Sequence, residues 1–141
     1  MENLSEQLLE SWLDISAIIR NDRIVNGLTF NEMFICNILL RHKKKNDTTY
    51  LTAMDLCAST GILKSQMNRC LTSLEEKGLI ERFRSEEDKR KIYIKFREEN
   101  GRLYEEEHQH SLKIPDKLIQ EMGEKKMEQM IKLLYEVIDK V

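Results

Sequence analysis

Between positions 64 and 72 the chain places Lys64, Ser65, Gln66, Asn68, Arg69 and Thr72, with no aspartate or glutamate among them. Gln and Asn match the two-atom edge of adenine and Arg that of guanine, whereas Ser, Thr and Lys more often reach phosphate oxygens. A second polar group follows in the stretch RSEEDKRK: Arg84, Asp88, Lys89, Arg90 and Lys91, an acidic block touching a basic one. Arg84, Lys89, Arg90 and Lys91 make the tip of this turn basic. Both sets point to recognition of duplex nucleic acid rather than to bond-making chemistry. Glu86 and Glu87 beside that tip should weaken non-specific DNA binding.

The flanking pattern must position these groups. Met67, Leu71 and Leu74 recur at helical spacing with Cys70 beside them, which predicts a helix from about Leu63 to Lys77 whose other face carries the polar set. Gly78 follows as a helix-terminating position. Upstream, Thr52 with Asp55 marks a short helix holding Met54, Leu56 and Cys57, and Gly61 supplies a tight turn between the two helices. Downstream, Ile92, Ile94 and Phe96 alternate with Tyr93 and Lys95, so LIERF and KIYIKF form a hairpin around SEEDKR. Short helix, glycine turn, helix and hairpin is the order of a winged helix-turn-helix. A major groove about 12 Å wide admits one such helix. The expected fold class is mainly α with a small β-hairpin wing.

Further helices enclose this core. Leu4, Leu8, Trp12, Ile15 and Ile19 form an amphipathic stripe that ends near NDRIVNG. Thr29 and Glu32 make a capping box, with Leu28 and Met33 as its hydrophobic staple, so a second helix runs from Phe30 to about Arg41. HKKKNDTT reads as a polar loop. After the hairpin a helical pattern resumes at about Glu98. Pro115 should interrupt it, and Met122-Gly123 marks another break. The last helix shows Met127, Met130, Ile131, Leu134, Val137, Ile138 and Val141, an unusually wide apolar face.

At 141 residues, 40% hydrophobic and 34% charged, the chain fits one soluble domain. Its net charge of −2 conceals a division: residues 36–97 hold 14 basic and 8 acidic side chains, whereas acids outnumber bases on either side. A basic middle between acidic ends suits a DNA-reading unit on a separate assembly platform. No apolar run approaches the roughly 18 residues of a membrane span, and MENLSEQ lacks a signal peptide's basic start and apolar centre, so no membrane partner and a cytoplasmic location are expected. Cys36, Cys57 and Cys70 are odd in number and without CxxC spacing, as for reduced, buried thiols.

The stretch TAMDLCASTGILKSQMNRCLTSLEEKGLIERFRSEEDKRKIYIKF resembles the winged-helix core of the MarR family of bacterial transcription regulators. Its most specific parts are LTSLEEKGLIER and Asp88-Lys89-Arg90, which matches the family's wing pattern of Asp, any residue, Arg. The resemblance implies that Arg90 probes the minor groove and that Asp88 orients it. It also implies a homodimer, a single domain over 1–141 with dimerisation helices at about 3–20 and 98–141 and a winged core at about 29–97. The implied partner is double-stranded DNA carrying an inverted repeat, and the implied activity is repression. A small aromatic or anionic ligand is implied between platform and DNA-binding lobe, with Trp12, Phe30 and Phe34 as candidate liners. Thr60, Phe96-Arg97 and Pro115 depart from the family pattern.

Other chemistries compete for these residues. Peroxide-sensing relatives use a cysteine in the first helix, which this chain lacks. Cys70, close in sequence to Lys64 and Arg69, is the one thiol with cations near enough in sequence to lower its pKa for redox sensing, against its expected role as core filler. His108 and His110 point about 200° apart on a helix, so a metal would need Glu106 with His110, joined by His42. Glu105 and Glu107 lie beside them. No nucleotide loop, Gly-x-Ser-x-Gly or HExxH motif is present, so neither an enzyme nor a bound cofactor is expected. A winged helix used only for protein contacts is the remaining rival, and it would not need Asp88 with Arg90 or an acid-free helix face.

Overall fold

The computed structural model describes residues 3–21, 27–45 and 48–141. Most of NDRIVNG, together with Asn46 and Asp47 of the expected polar loop, lies outside those residues. The elements run α1 (Leu4–Asn21), α2 (Phe30–Lys45), β1 (Leu51–Thr52), α3 (Ala53–Thr60), α4 (Lys64–Glu76), β2 (Ile80–Arg84), β3 (Ile92–Phe96), a 3₁₀ turn (Glu98–Asn100), α5 (Gly101–Ser111), α6 (Lys113–Met122) and α7 (Glu124–Lys140).

Local chemistry sets several helix starts. Thr29 N–H donates to Glu32 Oε1 at 3.0 Å while Glu32 N–H donates to Thr29 Oγ1 at 3.2 Å, the reciprocal pair that opens α2. Thr52 and Asp55 repeat the arrangement for α3. Contrary to the sequence expectation, α2 does not stop at Arg41; His42, Lys43, Lys44 and Lys45 are helical. Cations are favoured at a helix C-terminus, and Lys43 Nζ lies 2.5 Å from Glu98 Oε1, which ties the extension to the turn after the wing.

The core lies where α2, α3 and α4 meet the sheet. Ile35, Cys36, Leu56, Met67, Leu71, Leu74, Leu79, Ile80 and Ile94 are fully buried there. Truncating such a side chain, Leu71→Ala for instance, costs about 2–5 kcal/mol. The sheet has the order β1-β3-β2, all antiparallel, with Ile80 opposite Phe96 and Arg82 opposite Ile94. Ile92 shares the inward alternation but lies past the core's edge, exposed where the hairpin leaves the body. Strand β1 is only two residues long, too short to show any alternation in the sequence.

The departures from the family pattern have local explanations. Thr60 Oγ1 donates to the Leu56 carbonyl at 2.6 Å and accepts from Ile62 N–H at 3.2 Å, holding the turn into α4. Arg97 N–H donates to the Leu79 carbonyl at 2.8 Å and so ends the hairpin without a side-chain cap. Pro115 sits in the first turn of α6, where its missing N–H needs no partner, and the long helix divides at Leu112. Gly123, at φ 91°, separates α6 from α7.

Candidate nucleic-acid interface

The turn before α4 is built on Gly61, whose φ of 75° is the left-handed conformation that a side chain disfavours. Its N–H donates to the Cys57 carbonyl at 2.9 Å. Helix α4 then buries Met67, Leu71 and Leu74, which leaves Lys64, Ser65, Gln66, Asn68, Arg69 and Thr72 exposed together on the outer surface. No side chain caps the start of α4. First-turn N–H groups of this kind are available to an anion.

At the other end α4 stops in a Schellman turn. Gly78, at φ 75°, donates to the Glu75 carbonyl, Leu79 donates to that of Leu74, and both leucines are fully buried. Asn100 Nδ2 donates to the Gly78 carbonyl and locks the turn against the segment that follows the wing.

Two polar clusters that the sequence did not reveal fix α4 to its neighbours. The Glu32 carboxylate, 2% exposed, accepts from Thr29 N–H, from Ser73 Oγ at 2.8 Å, and from Lys77 Nζ at 3.0 and 2.9 Å. Burial pushes its pKa up, but the bonds from Thr29, Lys77 and Ser73 together outweigh burial and hold it below the ordinary carboxylate value. Arg82 of β2 donates from Nη2 to Thr72 Oγ1 at 3.2 Å and to Glu75 Oε1 at 3.0 Å. The Thr72 hydroxyl thus already accepts one bond within the chain and keeps its proton for an outside acceptor. Arg82 also holds the Glu75 carboxyl below its usual range, first through its side chain and then through its backbone N–H.

The wing tip is a closed hydrogen-bonded unit. Ser85 N–H donates to the Lys91 carbonyl at 2.9 Å, and Lys91 N–H to that of Asp88 at 2.9 Å. Asp88 N–H donates to the buried Ser85 hydroxyl at 3.2 Å. Asp88 Oδ1 accepts from both the backbone N–H of Arg90, at 3.1 Å, and its Nε, at 3.2 Å. The Arg90 side chain is nevertheless 90% exposed, so it is oriented without being consumed. Lys89 and Lys91 are exposed beside it. Arg84 Nη1 donates to the Lys89 carbonyl at 2.7 Å, which places this arginine as a brace of the turn.

The candidate ligand residues separate. Phe30 and Phe34 meet edge to face at 6.0 Å and line an apolar groove of about 190 Å³ with His108, but Trp12 does not border it and stands exposed on α1. The apolar stripe of α1 that carries Trp12 is exposed.

Cys70 packs half-buried against the core. Burial, and after it the Glu32 charge, raises the Cys70 pKa, with Lys77 opposing; burial likewise pushes Cys36 up to about 12. The flanking cations of the sequence do not lower the Cys70 pKa, because Lys64 and Arg69 project to the outer surface. His108 stacks on Tyr104 at 5.7 Å, and His42 Nε2 lies 3.0 Å from Thr49 Oγ1. Among the described residues no group of three or more His, Cys, Asp or Glu is placed to hold a metal ion.

Comparison with known proteins bears on this geometry. Residues 26–91, which span the helix-turn-helix and reach the end of the wing tip, match the profile of the MarR family. The winged-helix core is thus similar in sequence to the MarR family. Over 68 residues the chain is 35% identical to the HTH-type transcriptional regulator FarR of Neisseria gonorrhoeae, a stretch covering 48% of this chain and 45% of that relative. The match therefore spans about half the length of the curated relative. The MarR fold extends further than the sequence match. A MarR-family transcriptional regulator from Rhodococcus sp. RHA1 superposes with a TM-score of 0.79 at 16% identity, over 97% of this chain and 96% of that one. NadR in complex with 4-hydroxyphenylacetate superposes with a TM-score of 0.67 at 24% identity, over 97% and 93%. At these identities the likeness shows the fold: mostly helical with a three-stranded antiparallel sheet, that of MarR winged-helix regulators.

Proposed function

We propose that the chain is a homodimeric transcription repressor of the MarR type that binds an inverted repeat in duplex DNA. The observation that carries this reading is the wing tip, where Asp88 holds an otherwise exposed Arg90 beside a recognition helix whose outer face, from Lys64 to Thr72, bears no carboxylate. In this reading Gln66, Asn68 and Arg69 read base edges in the major groove, while Lys64, Ser65 and Thr72 reach phosphates. Arg90 enters the adjacent minor groove, and Lys89 and Lys91 flank it on the backbone. Arg84 and Asp88 serve by holding the turn.

The assembly platform in this reading consists of α1 and the helices after residue 98. Leu8, Trp12 and Ile15 of α1, and Ile131, Leu134 and Ile138 of α7, are all exposed within one chain, more apolar surface than a single copy covers. Two copies then set their recognition helices about one helical turn apart, ~10 bp. The groove at Phe30 and Phe34 is the proposed seat of a small aromatic or anionic ligand that releases DNA; NadR, a neighbour in fold, holds such a compound. No described helix is long and apolar enough to cross a membrane. A DNA partner places the protein in the cytoplasm.

Fluorescence-polarisation titration against the duplex flanking its own gene tests the reading. Affinity should fall steeply with salt as phosphate counterions are released, by orders of magnitude between about 50 and 200 mM. Binding that is indifferent to salt, or no stronger for an inverted repeat than for random duplex, would refute it.

A further inference from the structure

The outward face of the sheet carries a feature that DNA recognition does not use. Phe83 and Tyr93 are cross-strand partners with ring centroids 5.7 Å apart, and Tyr50, just before β1, packs against them at 5.0 and 6.1 Å. Packing among the three is incomplete: Tyr50 is exposed, Phe83 and Tyr93 are half-buried, and the rings form one wall of an open groove of about 430 Å³. Glu86 and Glu87 form its rim. Both carboxylates are exposed and neither has an ion-pair partner among the described residues. The one cation on the lining, Arg84, is turned to the Lys89 carbonyl.

We propose that this groove binds an amphipathic organic cation, its charged centre against Glu86 and Glu87 and its apolar body on the rings of Tyr50, Phe83 and Tyr93. Charge complementarity selects the class. Aromatic faces carry negative quadrupole potential, which adds to that of the two carboxylates and repels anions. The volume lies within the ~300–1,000 Å³ typical of small-molecule sites. Two carboxylates next to a turn that otherwise presents Lys89, Arg90 and Lys91 oppose phosphate binding, so a role away from DNA accounts for their position better than contact with it.

Calorimetric titration of the whole protein with tetraphenylphosphonium tests the proposal, with tetraphenylborate as the anion of the same shape. One saturable site per chain is expected for the cation, about tenfold weaker in the E86Q/E87Q variant, which corresponds to about 1.4 kcal/mol from the two carboxylates together. Tyrosine-ring NMR signals of Tyr50 and Tyr93 should shift during the titration. Because Phe83→Ala could loosen the hairpin, Tyr50→Leu is the aromatic test, with its thermal midpoint measured alongside; a correctly folded Y50L should bind several-fold more weakly. Absence of binding, equal affinity in wild type and E86Q/E87Q, tetraphenylborate binding as tightly at the same rings, or shifts confined to the Phe30–Phe34 groove would overturn it. So would a lysine-rich peptide that occupies the groove without competition from tetraphenylphosphonium, which would assign the surface to a protein partner. None of these readouts involves DNA, so they stand apart from the test of repression.

Discussion

Lys77→Met tests whether the buried Glu32 cluster seats the recognition helix. The substitution keeps the side chain's length and removes the cation from a carboxylate that is otherwise sealed from water. Removing one partner of a fully buried pair costs about 3–5 kcal/mol. Here Lys77 is 35% exposed, and Glu32 retains its bonds from Ser73 and Thr29, so the discounted expectation is about 2–3 kcal/mol. Glu32→Gln should cost less, about 1–1.5 kcal/mol, because a neutral amide still accepts a hydrogen bond and the freed ammonium reaches solvent. The double variant strands no charge and should be close to E32Q alone, a coupling of about 2–3 kcal/mol. Urea unfolding at neutral pH measures all three through the midpoint at constant slope. The pH dependence has a definite sign. The folded pKa of Glu32 is depressed, so its contribution is full above the ordinary carboxylate pKa and is lost as pH falls through the lower, folded value. In K77M the folded pKa of Glu32 moves up, so this acid loss should shrink. Strict additivity of the single variants, or K77M milder than E32Q, would refute the clamp.

Three further outcomes follow from the geometry. Arg90→Ala should weaken operator binding by about 1–3 kcal/mol in a polarisation assay while leaving assembly intact, and Asp88→Asn should cost less, because an amide oxygen still accepts the Arg90 N–H. Gly78→Ala should destabilise by about 1–2 kcal/mol in thermal unfolding, more than Gly61→Ala, since both have φ of 75° but only at Gly78 does an added Cβ meet a neighbour, Asn100 Nδ2 at 3.0 Å. Leu134→Glu, on the exposed face of α7, should convert dimer to monomer in sedimentation at low micromolar concentration without lowering the thermal midpoint of the winged core.

What the sequence disclosed is what lies within a few residues. The capping boxes at Thr29 and Thr52, the glycine turns at 61 and 78 and the period-two run after Lys91 are local patterns, and each produced its element. The outer face of α4 was legible for the same reason, since Met67, Leu71 and Leu74 define the buried side. What was missed is non-local. Glu32 looked complete as a capping residue, and only the folded chain brings Ser73 and Lys77 to its other lone pairs. Arg82 reaches Thr72 and Glu75 across the turn at Gly78. Trp12 stands apart from the groove of Phe30 and Phe34, and residue type and helical phase do not say which way α1 faces. The extension of α2 through Lys45 went unread because a run of cations is equally at home in a loop or at a helix C-terminus.

The distribution of charge and burial along the chain bears on how the proposed functions divide. Residues from Leu28 to Tyr104 supply nearly all of the buried hydrophobic side chains, so the winged core has an interior of its own. Helices α1, α6 and α7 contribute little to that interior, Met127 being the buried member of α7. Their apolar faces need a partner surface of like character, and the excess of acids there discourages competition for phosphate with the basic middle. In the proposed function, assembly and recognition rest on separate surfaces joined through α2 and α5. The groove at Phe30, Phe34 and His108 lies between those same two helices, and Glu32, two residues along α2 from each phenylalanine, bonds Ser73 and Lys77 at the far end of the recognition helix. A ligand that shifts α2 at that groove therefore moves the carboxylate on which α4 is seated, which gives the proposed release of DNA a short and rigid mechanical route.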